Sequence, residues 1–300
     1  MASAQNKPLR RKRSNTMVEY SNPKVPDHVN ISRNSSAHDF VLLGLLAIGS
    51  LAAIVFLIFF VGGFLGRLVP FEIERNMVAW ASPKLLEPAT EGPSGALQDL
   101  ADRLTPHMDL PEGMTVVVRH EVNPLVNAFA TVGGQITIMS GLIDEIESEN
   151  ELAMVLAHEM AHIKNRDVAG AIGGGILLSL TYSLVFGDGG AGNIFGNAGS
   201  LMQLSFSREA ERAADREALL AITRLYGHGN GGVQLLDALQ YSKTELPSMW
   251  SDSVEVLQTH PHVANRIAAL EELAREEEIS LTGPLTPLPS VFLADSSSER

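Results

Sequence analysis

The sequence predicts an α+β fold, mostly helical with a small β-sheet, preceded by one transmembrane helix. Three observations predict it: an uncharged apolar run from Phe40 to Gly66, a helical stretch opened by a capping signal at Ser148, and apolar/polar alternation at 135–139. The 300 residues, 45% hydrophobic and only 6% aromatic, suffice for one helix-rich core with appendages.

Residues 1–39 come first, and they are basic. Lys7, Arg10, Arg11, Lys12, Arg13, Lys24 and Arg33 outnumber Glu19, Asp27 and Asp39 by four, so the net charge of −13 leaves −17 for the rest of the chain. An acidic body repels phosphate backbones, which excludes nucleic acid as a partner. The segment is rich in Ser, Asn and Pro, offers no apolar face to bury, and reads as disordered.

Residues 40–66 carry no charge and exceed the roughly 20 apolar residues that cross a bilayer as a helix. A cleaved signal peptide has an apolar region of about 7 to 15 residues close to the N-terminus, so a run starting at position 40 reads as a retained anchor. With the basic segment on the cytoplasmic side, the remainder is expected outside the cytoplasm. Residues 67–95 read as a linker, and 96–280 as the main folded domain.

A second apolar run, Val168 to Phe186, tempts one to draw another crossing. It would put the helices before and after it on opposite faces of the membrane unless the chain crossed back, and the Gly-rich 187–200 stretch is too polar to do so. The run is therefore expected as a buried or membrane-apposed helix followed by a loop.

Ser148 followed by Glu151 before an apolar run is a capping box, opening a helix that should reach about Arg166. Within it lies HEMAH, residues 158–162. His158 and His162 stand at i and i+4 on one face, so both imidazoles can reach one ion, with Glu159 beside them. The chain has no cysteine, so any metal must be held by His and carboxylate, and a zinc site needs at least a third ligand.

Downstream, SREAERAADREALLAITRLYG (207–227) offers two glutamates, and helical phase separates them. Positions 204, 207, 214, 218 and 222, in phase with Glu211, are Leu204, Ser207, Ala214, Ala218 and Ile222; Arg212 and Arg216 share the phase of Glu209. Glu211 is thus the buried carboxylate, and a buried carboxylate requires a cation. Asp215, one turn on, is placed to hydrogen-bond a ligand imidazole.

HExxH followed by S-R-x-x-E-x-x-A-D resembles the zinc metallopeptidases related to HtpX and the CAAX prenyl protease, over about Ala96 to Leu273. The resemblance implies a zincin-like domain binding one Zn²⁺ through His158, His162 and Glu211, with Glu159 as general base and proteins or peptides as substrates. The stretch 127–143 resembles the family's strand pair before the HExxH helix, with Gly133-Gly134 as its tight turn, and an edge strand there can bind an extended substrate. T-H-P-x-x-x-x-R at 259–266 resembles a late family motif. It implies that His260 approaches the zinc, as a fourth ligand or an oxyanion donor, with Arg266 fixing the loop.

One convincing span departs from the multi-span relatives and is similar to singly anchored envelope members of the BepA and YcaL type. The expectation is a membrane-anchored zinc endopeptidase in envelope protein quality control; the alternative is a chaperone-like binding module with a structural or latent zinc. His28, His38, His107, His120 and His228 have no partner spacing, and the Pro-rich 281–300 reads as a flexible tail.

Overall fold

The computed structural model describes residues 21, 37–186, 206–234, 236–237, 260 and 263–295. The elements run α1 (Ala37–Leu68), α2 (Phe71–Ala81), α3 (Gly92–Leu104), β1 (Val117–Glu121), β2 (Ala128–Thr131), β3 (Gln135–Met139) and α4 (Ser140–Asp144). There follow α5 (Glu149–Lys164), α6 (Asp167–Phe186), α7 (Arg208–Tyr226), α8 (Val263–Glu276) and α9 (Ser290–Asp295). Short 3-10 turns lie at Pro83–Leu86 and Thr105–His107. The expected disorder of 1–39 and the loop at 187–200 fall almost wholly outside the described residues.

The first compact unit, Met1–Ala52, contributes the beginning of α1; the second, Ala53–Arg300, holds the remaining elements. Helix α1 has 32 residues, and its most apolar window has mean hydropathy 2.8 with none of it buried. At about 1.5 Å per residue it exceeds the ~30 Å hydrocarbon layer. Among the described residues it is the one helix long and apolar enough to cross a membrane.

Within the second unit, the last turns of α1 pack on α6 through glycines. Gly66 meets Ala169, Gly63 meets Gly170, and Gly62 meets Gly173 and Gly174, so the two helices run antiparallel. A Cβ on Gly62 would come within 2.6 Å of the Gly173 carbonyl oxygen, so the backbones approach as closely as small residues allow.

The stretch 67–95, expected as a linker, carries α2, a 3-10 turn and the start of α3. Helix α3 buries Leu97, Leu100, Ala101 and Leu104, spaced for one helical face, over β1. Strand β3 lies between parallel β1 and antiparallel β2. The alternation at 135–139 reads as a strand with one covered face, but Ile136, Ile138 and Met139 are all fully buried, with β1 and β2 pairing the edges of β3 and helices packed against it. Gly133 and Gly134 make the β2–β3 turn with φ of 73° and 78°, values that tight hairpins need and glycine supplies freely.

Helix α5 runs through the middle of the core and is buried along almost its whole length. Ser148 caps it, its Oγ accepting from Glu151 N–H at 3.3 Å and donating to Glu151 Oε1 at 2.8 Å. Residues 281–295, expected as a tail, are packed against this start. Glu149 N–H donates to Thr286 O at 2.9 Å, Thr286 N–H donates to Asn150 Oδ1 at 2.8 Å, and Phe292 of α9 joins the core. The tail supplies an acceptor that the first turn of a helix otherwise lacks.

Candidate metal centre

Helices α5 and α7 pack side by side, and the contact carries the chemistry. Ala214, Ala218 and Ile222 bury the inner face of α7 and bring Glu211 to 2% exposure, while Glu209, Arg212 and Arg216 stay outside. His158, His162, Glu211 and His260 each offer a ligand atom, and these atoms lie within 4.8 Å of one another. His158 Nε2 is 3.1 Å from His162 Nε2 and 3.2 Å from His260 Nδ1. Glu211 lies 3.6 Å from each of the first two imidazoles and 2.9 Å from His260 Nδ1.

These separations fit a metal. Bonds of about 2.0–2.2 Å in a tetrahedron give ligand–ligand edges of about 3.3–3.6 Å, close to the spacing of the four groups. Glu211 Oε2 and Glu159 Oε2 are buried and accept no hydrogen bond among the described residues, which leaves two carboxylates without full compensation. A divalent cation would supply it.

The outer nitrogens of two imidazoles are held by carboxylates. His158 Nδ1 faces Asp215 Oδ1 at 2.9 Å, and His162 Nδ1 faces Asp167 Oδ2 at 3.0 Å. Both imidazoles therefore turn Nε2 toward the cluster. Arg266 of α8 grips Asp215 with two hydrogen bonds, Nε at 2.8 Å and Nη2 at 2.7 Å, and its Nη1 lies 3.3 Å from Glu211. Arg67, at the end of α1, reaches Asp167 at 3.2 Å. The Phe206 ring stacks on His162, with centroids 4.1 Å apart.

Electrostatics follow from burial. The Glu159 carboxyl is pushed up to about 7 by desolvation, against the pull of His162. His158 is lowered to about 4 by desolvation and the Arg266 charge, and His260 is lowered well below its usual value for the same reasons, with His162 adding to them. Neutral imidazoles are the form that binds metal. Burial alone would lower His162, but the Asp167 hydrogen bond and the nearby carboxylates raise it. Burial would likewise raise Asp215, yet Arg266 holds it below the usual carboxylate range.

All seven residues singled out from the sequence meet in this region: the four cluster residues, Glu159 with Oε1 at 3.4 Å from His260 Nε2, Asp215 and Arg266. Asp167, Arg67 and Phe206 were not foreseen. The signal for Asp167 was a carboxylate five residues beyond a histidine, at the boundary between two helical patterns; Arg67 and Phe206 left no local signal. Beside the cluster opens a cleft walled by Leu142, Met154, Val155 and Leu236.

Residues 92–274 match the model of peptidase family M48. The chain is similar to "Protease HtpX homolog 2" of Methanosarcina mazei, 30% identical over 264 residues that make up 74% of this chain and 86% of that protein. It is similar to "Protease HtpX homolog" of Salinibacter ruber, 30% identical over 254 residues, 71% of this chain and 90% of that protein. It also resembles "Putative beta-barrel assembly-enhancing protease" of Vibrio cholerae, 30% identical over 171 residues, 50% of this chain and 33% of that protein.

Proposed function

The chain belongs to peptidase family M48, a metalloprotease with an apolar N-terminal helix fit to anchor it in a membrane, and from that premise we propose that it is a zinc endopeptidase using Glu159 as general base. The observation that carries this is the convergence of His158 and His162 from α5 with Glu211 from α7, with the Glu159 carboxylate beside them. Zinc, when bound, would supply a Lewis acid that polarises the scissile carbonyl and makes water acidic enough to attack near neutral pH.

The protein's own groups do the rest. Glu159 accepts the proton of the attacking water and returns it to the leaving amine. Asp215 and Asp167 keep the two imidazoles oriented. Strand β2, at the edge of the sheet, packs against α5, and the Ala130 backbone helps to lower the Glu159 carboxyl, so this edge runs past the base. Among the described residues no strand pairs with the outer edge of β2, which supports binding of an extended substrate by main-chain pairing there. The apolar cleft would take a substrate side chain.

The proposed substrates are misfolded or misassembled envelope proteins, a reading supported by the likeness to the Vibrio cholerae protein named for enhancing beta-barrel assembly. The basic N-terminal segment supports a cytoplasmic N-terminus and a peptidase domain on the other side. Protease shaving of spheroplasts should then degrade the domain, and its survival intact would reverse this topology.

A second reading has its own observation. His260 Nδ1 lies within the cluster, and closing a fourth position with a protein ligand is how structural zinc sites are built. Zinc would then staple a protein-binding module whose hydrolysis is latent. Purified full-length protein with zinc should cleave an unfolded protein, and a chelator should stop it. If wild type is silent and His260→Ala is silent too, the binding module stands and the peptidase reading is lost. If His260→Ala cleaves faster than wild type, His260 is a removable fourth ligand; if it cleaves more slowly, it is a donor to the oxyanion.

A further inference from the structure

Helix α2 leaves an apolar stripe uncovered. Its buried side carries a carboxylate, Glu74, together with Val78, whereas Ile73, Met77 and Trp80 lie on a neighbouring side, about 110° round the helix, at 48%, 47% and 90% exposure. Their spacing of i, i+4 and i+7 makes one continuous apolar stripe. Leu85, in the 3-10 turn that follows, is exposed as well.

The inward carboxylate has a structural reason. Glu74 accepts from the Gly133 N–H at 3.0 Å and pairs with Arg166, and Arg166 also donates to the Val69 carbonyl and lies 5.8 Å over the Phe71 ring. The inner face of α2 is thereby fixed to the β2–β3 turn and to the corner between α5 and α6. The outer stripe stays exposed among the described residues.

What covers it follows from where the helix begins. Only Val69 and Pro70 separate the end of α1 from the start of α2, and two residues span at most about 7 Å. With α1 crossing the bilayer, Phe71 starts a helix in the interfacial layer. Tryptophan is enriched at that depth, and a helix lying in the interface buries its apolar side about 5–10 Å into the boundary between headgroups and acyl chains.

We propose that α2 docks on the membrane surface, with Ile73, Met77 and Trp80 inserted in the leaflet that faces the peptidase domain. The occupant of the stripe is lipid, and the domain is held against the bilayer by a second contact besides its anchor.

The chain has two tryptophans, so Trp250→Phe leaves Trp80 as the sole indole. The full-length variant, reconstituted in phosphatidylcholine vesicles, should show blue-shifted emission that is quenched by bromines placed shallowly on the acyl chains and spared by aqueous iodide. Quenching by iodide with no effect of brominated lipid overturns the proposal. Shielding from both quenchers also overturns it, because protein, such as a second copy of the chain, would then cover the stripe. Should Trp250→Phe fail to fold, the difference in emission between wild type and Trp80→Phe isolates the same signal.

Discussion

Replacing Glu159 with Gln lowers proteolysis by about 10²- to 10⁴-fold, the usual contribution of a positioned general base, and leaves metal bound. The amide keeps the size of the carboxylate but cannot accept the proton of the attacking water. Metal retention is expected because the converging ligand atoms belong to His158, His162, Glu211 and His260, and Glu159 is not one of them. Cleavage assays paired with metal analysis decide the matter; an active Glu159→Gln protein removes this residue from the mechanism.

The same substitution has a second, opposite effect on stability. In the metal-free protein, burial raises the Glu159 carboxyl from 4.5 to about 7. A folded-state pKa above the unfolded one means that the folded protein binds more protons between these values, so stability falls as pH rises from about 4.5 through 7. Glutamine feels no such loss. At pH 8 the chelated variant should resist urea better than chelated wild type by about 3 kcal/mol, and the difference should vanish below about pH 4.5.

Arg266→Met is strongly destabilising. Arg266 is buried, holds Asp215 with two hydrogen bonds and lies 3.3 Å from Glu211. Its loss leaves the buried carboxylates of Asp215 and Glu211 without their guanidinium partner, and breaking a buried pair in this way costs about 3–5 kcal/mol. Lysine should rescue poorly, because an ammonium cannot reproduce the planar two-bond grip. Urea unfolding of the metal-free variants measures the effect; a loss below about 1 kcal/mol, the level of an average substitution, would show that Arg266 is not the clamp of this site.

What could be read from the sequence was whatever a single helix writes into its own spacing. His158 with His162, and Glu211 with Asp215, are i, i+4 pairs, and the small apolar residues Ala214 and Ala218 disclosed which side of α7 turns inward. The turn at Gly133 and Gly134 was legible for the same reason, since its backbone requirement falls on adjacent residues. What depends on distant packing was not legible. The central position of β3 is set by β1, and the packing of residues 281–295 by the unsatisfied start of α5. Asp167 reaches His162 because Arg166 turns the chain with φ of 61°, a left-handed step that ends α5 and starts α6. Helix α2 was missed because its apolar stripe stays exposed while a carboxylate, Glu74, is buried.

The link from Arg67 through Asp167 to His162 sets a height. Two polar contacts, of 3.2 and 3.0 Å, separate the last basic residue of the membrane helix from an imidazole of the metal centre. With α1 in the bilayer, as proposed, the cutting plane would be measured from the lipid and not from the outline of the peptidase domain. A polypeptide would then come within range only along a stretch that hangs low over the bilayer, and a compact globule standing clear of it would keep its backbone out of reach.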